Sequence, residues 1–315
     1  MNQLTITGLG TYLPRNSVDN AHLTPLEPPM SVEEMDAIGV LRRGHADETE
    51  TESMMAIAAG QRALEQAAIE PAQISFVIFV NWTARRYVPD LAPRIQHAVG
   101  ARNAVAFDLC CACCGFIQAL SVAHGYLQQA RFGAGLVLTA DRSASHMRPK
   151  TRATLVFGDG ASAAVVQSGA HPGIRLLDYE VRTDGSQNGI MEIDADGYLL
   201  PHIRQRELNA LAGKSMAEVS LALLERNRLT LDEIRWIVPH SGTAGVQTTL
   251  REYLKAAPER VLTTLPFQGN LASSAIPCSL RHFLDSGHLV PGQRILATAV
   301  GLGWQYASML LEIQA

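Results

Sequence analysis

The stretch "AVAFDLCCACCGFIQALSVAHGYLQQA" (104–130) runs from a short apolar segment through a four-cysteine turn into apolar residues at helical spacing. Residues 104–109 predict a buried strand, and residues 114–130 predict a helix with Phe116, Leu120, Ala123 and Leu127 on one stripe. A strand that feeds a helix through so short a turn is the unit of an α/β layer, and the same order recurs on either side of it.

Upstream, "LTITGLGTYLP" (4–14) alternates as a strand, residues 48–69 carry Met55, Ala59, Leu64 and Ala67–Ala68 at roughly helical spacing, and "ISFVIFV" (74–80) predicts a strand buried on both faces. "DLAPRIQHAVG" (90–100) predicts a helix and "GAGLVLTADR" (133–142) a strand. The second half repeats the order. A helix through 216–227 is followed by the strand "IRWIVPH" (234–240), the helix "GVQTTLREYL" (245–254) and the strand-like "RVLTTLP" (260–266). The helix "SSAIPCSLRHFLDSG" (273–287) and strands in 294–300 and 306–313 complete it. Two similar αβ halves, 1–167 and 168–315, are expected, with the Gly- and Asp-rich stretch 165–202 holding the junction and an inserted hairpin or loop.

The chain has 315 residues, 47% of them hydrophobic, enough to bury a substantial core without cross-links. Its net charge of −4, with Lys and Arg scattered, leaves no footprint for nucleic acid or an anionic membrane. The first residues lack a basic segment leading into an apolar one, and "FVIFV" is far too short to span a bilayer, so a soluble cytoplasmic protein is expected. Structural disulfides are not expected, because four of the five cysteines fall within five consecutive positions.

Cys110/Cys113 and Cys111/Cys114 each form C-x-x-C. A zinc site needs a second ligand pair at a defined spacing, and only the isolated Cys278 and dispersed histidines are available. Side chains alternating at a strand–helix junction also point into opposite layers, so no metal is expected. Small apolar filler accounts for Cys110, Cys111 and Cys114. Cys113 differs by position, since the first turn of a helix offers free N–H groups and a positive dipole end that favour a thiolate nucleophile. His240, after a predicted buried strand, and Asn270, in a Gly-containing turn before a helix, are its candidate partners. Alone, each is more often structural, and their joint occurrence with a helix-start cysteine raises both.

The chain resembles the β-ketoacyl-acyl-carrier-protein synthase III family of thiolase-like condensing enzymes. The motifs that carry the resemblance are "GLGTYLP", "AFDLCCACCGF", "LVFGDGASAAVV" (155–166), "VPH" (238–240), "GNLASSAIPCSL" (269–280) and "LVPGQRILATAVGLG" (289–303), in family order along nearly the whole chain. The resemblance implies a thiolase-like α/β fold, two halves in five α-β-α-β-α layers. It also implies Cys113 as the acylated residue, His240 and Asn270 as the catalytic pair, and an oxyanion hole from the Cys113 amide and the turn Leu302–Gly303. Implied too are an acyl pocket touching Tyr87, Val88 and Phe157, coenzyme A or an acyl carrier protein as the acyl donor, and no metal or organic cofactor. It implies a homodimer pairing near 104–109, a heterodimer with a homologue being the alternative.

The chemistry the resemblance implies is acyl transfer to Cys113 and decarboxylative condensation with a malonyl-type thioester. Departures accompany the matches. "PHSGTAG" puts Gly245 where the family carries a basic residue, and Glu33 and Leu41 stand near the family's adenine-stacking Trp and nucleotide-contacting Arg. The usual coenzyme A entrance is altered, which points to the specialised synthases of secondary metabolism. The alternatives are a non-decarboxylating acyltransferase forming an ester or amide, against which retained Asn270 argues, and a silent partner subunit, against which Cys113 and His240 argue.

Overall fold

The most apolar segment, Phe76–Val80, is buried at every residue because helices cover both of its faces. In the computed structural model, which describes residues 3–23, 25–84 and 88–315, it is one of nine strands in a single hydrogen-bonded sheet. They are β1 (Leu4–Tyr12), β2 (Phe76–Val80), β3 (Val105–Leu109), β4 (Ala134–Asp141), β5 (Gly160–Ser168), β6 (Gly173–Thr183), β7 (Trp236–Pro239), β8 (Arg294–Gly301) and β9 (Gln305–Gln314), in spatial order β7-β8-β9-β6-β1-β5-β4-β2-β3. The main helices are α1 (Glu52–Gln66), α2 (Ala92–Ala98), α3 (Gly115–Leu127), α4 (Gln205–Arg226), α5 (Ala244–Leu254) and α6 (Ala275–Asp285).

The repeat expected from sequence is visible in the pairing. β2 lies parallel to β4, β4 antiparallel to β5 and β5 antiparallel to β1. In the second half β7 lies parallel to β8, β8 antiparallel to β9 and β9 antiparallel to β6. The half-sheets meet along a short seam where Leu4, Thr5 and Ile6 face Leu176, Arg175 and Ile174.

Side-chain alternation then sorts the layers. Val77 and Phe79 point outward to a cluster with Ala56, Ala59 and Ala63 of α1, whereas Ile78 and Val80 point inward to Phe116 and Leu120 of α3 and Ile276 and Leu280 of α6. The second half adds Val238, Ile295 and Met309 to that inner cluster and packs Leu296 and Leu310 outward on Met216, Leu223 and Leu250. Helices, half-sheet, central helices, half-sheet and helices make five layers. Close approach of α1 to β1 depends on glycine: a Cβ on Gly8 would stand 2.1 Å from the Ala63 carbonyl oxygen.

Three elements differ from their sequence reading. The segment 104–109 is the outer edge strand, with Val105 48% exposed, rather than a fully covered one. The strand-like 260–266 contracts to one bridge, Val261 to Ile237, because Thr263 Oγ1 accepts the Leu265 N–H and turns the chain into Leu265–Gln268. The helix placed at 216–227 begins at Gln205, and the junction contains the long strand β6 before its hairpin, Met191–Ile193 with Leu199–Pro201. Among the described residues no helix is long and apolar enough to cross a membrane.

Candidate active site

Cys113 lies in the turn between β3 and α3, which closes through the Gly115 N–H donating to the Ala112 carbonyl at 2.8 Å. The helix N-cap is Cys114, so Cys113 stands just before the helix rather than in its first turn, where the sequence reading puts it. Its amide is close to the end of β8: a Cβ on Gly301 would lie 3.3 Å from the Cys113 nitrogen and 3.2 Å from the Cys114 nitrogen. Gly301 thus brings the start of the turn Gly301–Leu302–Gly303 against the Cys113 amide. The Leu302 side chain packs away, on the outer cluster of the second half.

The thiol is not poised as a thiolate. Burial, with the charges of Asp141 and Cys111 adding to it, pushes Cys113 up to about 12 although the residue is only half-buried.

His240 follows β7 and donates its backbone N–H to the Thr298 carbonyl of β8 at 2.8 Å. Burial pulls the imidazole down to about 4, so it is neutral at physiological pH. Among the described residues its Nδ1 has no hydrogen-bond partner, and Nε2 lies 3.5 Å from where a Cβ on Gly242 would sit, a residue whose φ of +51° suits glycine.

Asn270 is held on both sides by backbone. Its N–H donates to the Val156 carbonyl at 2.8 Å and its carbonyl accepts the Gly158 N–H at 3.1 Å, a parallel bridge to Phe157. Its Oδ1 accepts the Ala272 N–H at 3.0 Å, which leaves Nδ2–H as the group to present to a ligand. Phe157, expected at the acyl pocket, is thus beside Asn270, its half-buried ring packed on a small cluster with Leu155 and Leu265.

Asp141, at the end of β4, joins these segments and was not singled out from sequence. It accepts the Trp82 N–H at 3.1 Å, the Ser273 N–H at 3.3 Å and the Ser273 hydroxyl. Burial raises its carboxyl to about 7 despite these donors. Ser273 in turn sits near Gly115, 3.4 Å from a Cβ built there. A carboxylate closing an eight-residue buried strand was the signal available.

The other cysteines are not alike. Cys110 is exposed. The thiols of Cys111 and Cys114 are buried and donate to the Gln305 side-chain and main-chain oxygens, each at 3.2 Å, so they are donors as well as filler. Among the described residues no three of His, Cys, Asp and Glu converge as a metal site would need. Val88 is 87% exposed within the chain, and Tyr87 lies outside the described residues. Leu41 is exposed, as is Glu33, and at Gly245 the side chain of Asn209 fills the space, 2.2 Å from where a Cβ would stand.

Residues 107–185 match the family model for 3-oxoacyl-[acyl-carrier-protein (ACP)] synthase III, and residues 224–313 match the model for the C-terminal part of the same synthase. The chain is 31% identical over 314 residues, 98% of both proteins, to the β-ketoacyl-[acyl-carrier-protein] synthase III of Escherichia coli (strain K12). It superposes on the 3-oxoacyl-[acyl-carrier-protein] synthase III of Aquifex aeolicus VF5 with a TM-score of 0.91 at 30% identity, over 98% of this chain and 99% of that one. With the priming β-ketosynthase of the R1128 polyketide pathway the TM-score is 0.89 at 28% identity, over 99% and 96%.

Proposed function

The chain belongs to the 3-oxoacyl-[acyl-carrier-protein] synthase III family, and from that premise we propose that Cys113, His240 and Asn270 form its catalytic set, as in a decarboxylative condensing enzyme. The Cys113 sulfur attacks the carbonyl of an acyl thioester. A new C–S bond forms, the donor's C–S bond breaks, and the thiol proton leaves with the departing thiol. The Cys113 amide and the backbone of the turn Gly301–Leu302–Gly303 hold the tetrahedral oxyanion, a contribution of roughly 10²–10³ in rate per donor. A malonyl-type thioester then loses CO2, and its enolate oxygen is met by neutral His240 and the Asn270 amide before its carbon attacks the acyl carbonyl. The new C–C bond forms, the C–S bond to Cys113 breaks, and the freed thiolate takes up a proton from solvent.

The observation that carries this reading is the anchored Asn270 amide, whose oxygen is occupied by Ala272 so that only N–H donors remain for an incoming oxygen. A proton-rich, uncharged pair suits a developing enolate, because cationic donors would stabilise the carboxylate reactant as well. The same anchoring argues against an ester- or amide-forming acyltransferase.

The donor thioester rides on coenzyme A or an acyl carrier protein. The exposed Leu41 and the Asn209-filled site at Gly245 support a docking mode suited to fatty-acid-like or polyketide building blocks of secondary metabolism. In this reading the enzyme works as a cytoplasmic homodimer paired along the open edge of β3, or as a heterodimer with a homologue. The halves 1–167 and 168–315 supply the nucleophile and the His–Asn pair respectively. The test is intact-mass spectrometry after incubation with acetyl, hexanoyl and octanoyl thioesters, followed by malonyl thioester. A Cys113 adduct that is consumed with release of a β-ketoacyl product is expected, and an adduct on another residue or transfer without CO2 release overturns the reading.

A further inference from the structure

Gln305 opens β9 immediately after the turn that holds Gly301 and faces Gly301 across the β8–β9 ladder. Its side-chain oxygen accepts the Gln118 Nε2–H at 2.9 Å and the Cys111 thiol at 3.2 Å, and its main-chain oxygen accepts the Cys114 thiol at 3.2 Å. All three donors belong to the β3–α3 turn or to α3, 187–194 positions earlier in the chain. One residue thus grips the chain on both sides of Cys113, and its own backbone fixes the far end of the Gly301 turn.

The oxyanion site of the reading above lies between the two things Gln305 joins, the Cys113 amide and the turn Gly301–Leu302–Gly303 that its pairing with Gly301 closes. Nothing else in the site spans that gap by side-chain hydrogen bonds among the described residues. We propose that Gln305 is a positioning residue: with the Cys111 and Cys114 thiols it sets the separation of the two oxyanion-hole backbones, which belong to different halves of the molecule. This inference rests on the assignment of Cys113 as the acylated residue. It gives two of the three extra cysteines a purpose that small apolar filler does not, since alanine would fill the space and donate nothing.

Donor placement within an ångström governs such sites, and loss of it costs roughly 10–10²-fold in rate. The test is the rate of Cys113 acylation at saturating acyl thioester, with half-saturating concentration and thermal unfolding measured beside it. Gln305→Met, which keeps the length and removes the acceptor, should acylate roughly 10–10²-fold more slowly with little change in half-saturation. Cys111→Ala should slow acylation several-fold, and Cys111→Ser, which restores a donor, should recover most of the loss. A folded Gln305→Met that acylates at the wild-type rate overturns the inference. Should that variant fail to fold, the Cys111 pair decides: Cys111→Ser as slow as Cys111→Ala overturns it, and recovery supports it. Wild-type protein that takes no acyl group on Cys113 instead overturns the assignment of the site, and this inference with it.

Discussion

The two halves put the same element in the same place and use it differently. After β2 the first half has Asn81, whose amide supports Asp108, and Asp108 caps the start of α2 by accepting the Leu91 and Ala92 N–H groups at 3.2 and 2.7 Å. After β7, at the matching position, the second half has His240, with a ring nitrogen left unpartnered. The entrances to the two central helices contrast as well. The turn before α3 is held by the second half through thiols on Gln305. The loop before α6 is held by the first half through Ser273 on Asp141 and Ser274 on Thr139, the latter at 2.7 Å. Each half locks the other's helix, through two weak thiol donors beside Cys113 and through serine hydroxyls beside Asn270. A duplicated scaffold can therefore divide one reaction between its copies.

The contrast is broken most completely at Cys113. Cys113→Ala should give no acyl adduct by intact mass, while Cys110→Ala, at an exposed position, should acylate as wild type. Next come the two groups of the second half. His240→Ala and Asn270→Ala should each lower condensation by roughly 10²–10³-fold, the scale of one lost preorganised donor, and lower Cys113 acylation far less. Equal loss in both half-reactions would mean that the second half does not act on the enolate.

A smaller effect tests the lock itself. Asp141→Asn keeps one oxygen, enough for Ser273 but not for the Trp82 N–H on the other carboxylate oxygen, and removes the negative charge that, after burial, holds the Cys113 thiol up. The thiol should then ionise at lower pH, and iodoacetamide alkylation of Cys113 at pH 8 should rise several-fold. In the wild type, with the thiol at about 12, the alkylation rate should climb about tenfold per pH unit from neutrality without a plateau below pH 9. A plateau near neutrality would show a stabilised thiolate.

The apolar skeleton of this arrangement was readable from sequence because periodicity reports local burial: β2, β4, α3 and α6 appear where Val/Ile runs and helical stripes place them. β6 escaped because Arg175, Asp178, Glu180 and Arg182 make a half-buried strand resemble a polar junction, and the first part of α4 because "RQRELNAL" (204–211) carries few apolar residues. The site divides along the same line. Cys113, His240 and Asn270 stand at element ends that local pattern reveals. Asp141 and Gln305 take their meaning from partners 132 and 187–194 positions away, a distance over which one sequence carries no visible signal.

The smallest effect concerns the most exposed large apolar residue among the described ones. Val88 is 87% exposed, a position that makes sense if the segment 81–93 covers the acyl pocket of a second copy paired along β3. A valine there leaves more room than an aromatic ring, and each extra methylene of a primer buried in that room adds about 0.8 kcal/mol, close to a fourfold gain in acylation efficiency. Hexanoyl or branched primers should therefore outcompete acetyl in the wild type, and Val88→Phe should shift preference back toward acetyl by that factor per methylene excluded. The competing outcome is that another side chain of the same segment, Tyr87, keeps the pocket short. Acylation rates for acetyl, hexanoyl and octanoyl thioesters separate the two: a wild type that prefers acetyl, or a Val88→Phe variant with an unchanged chain-length profile, removes Val88 from the pocket. Light scattering on the same samples at micromolar concentration should report a dimer, since a monomer has no second copy for Val88 to reach.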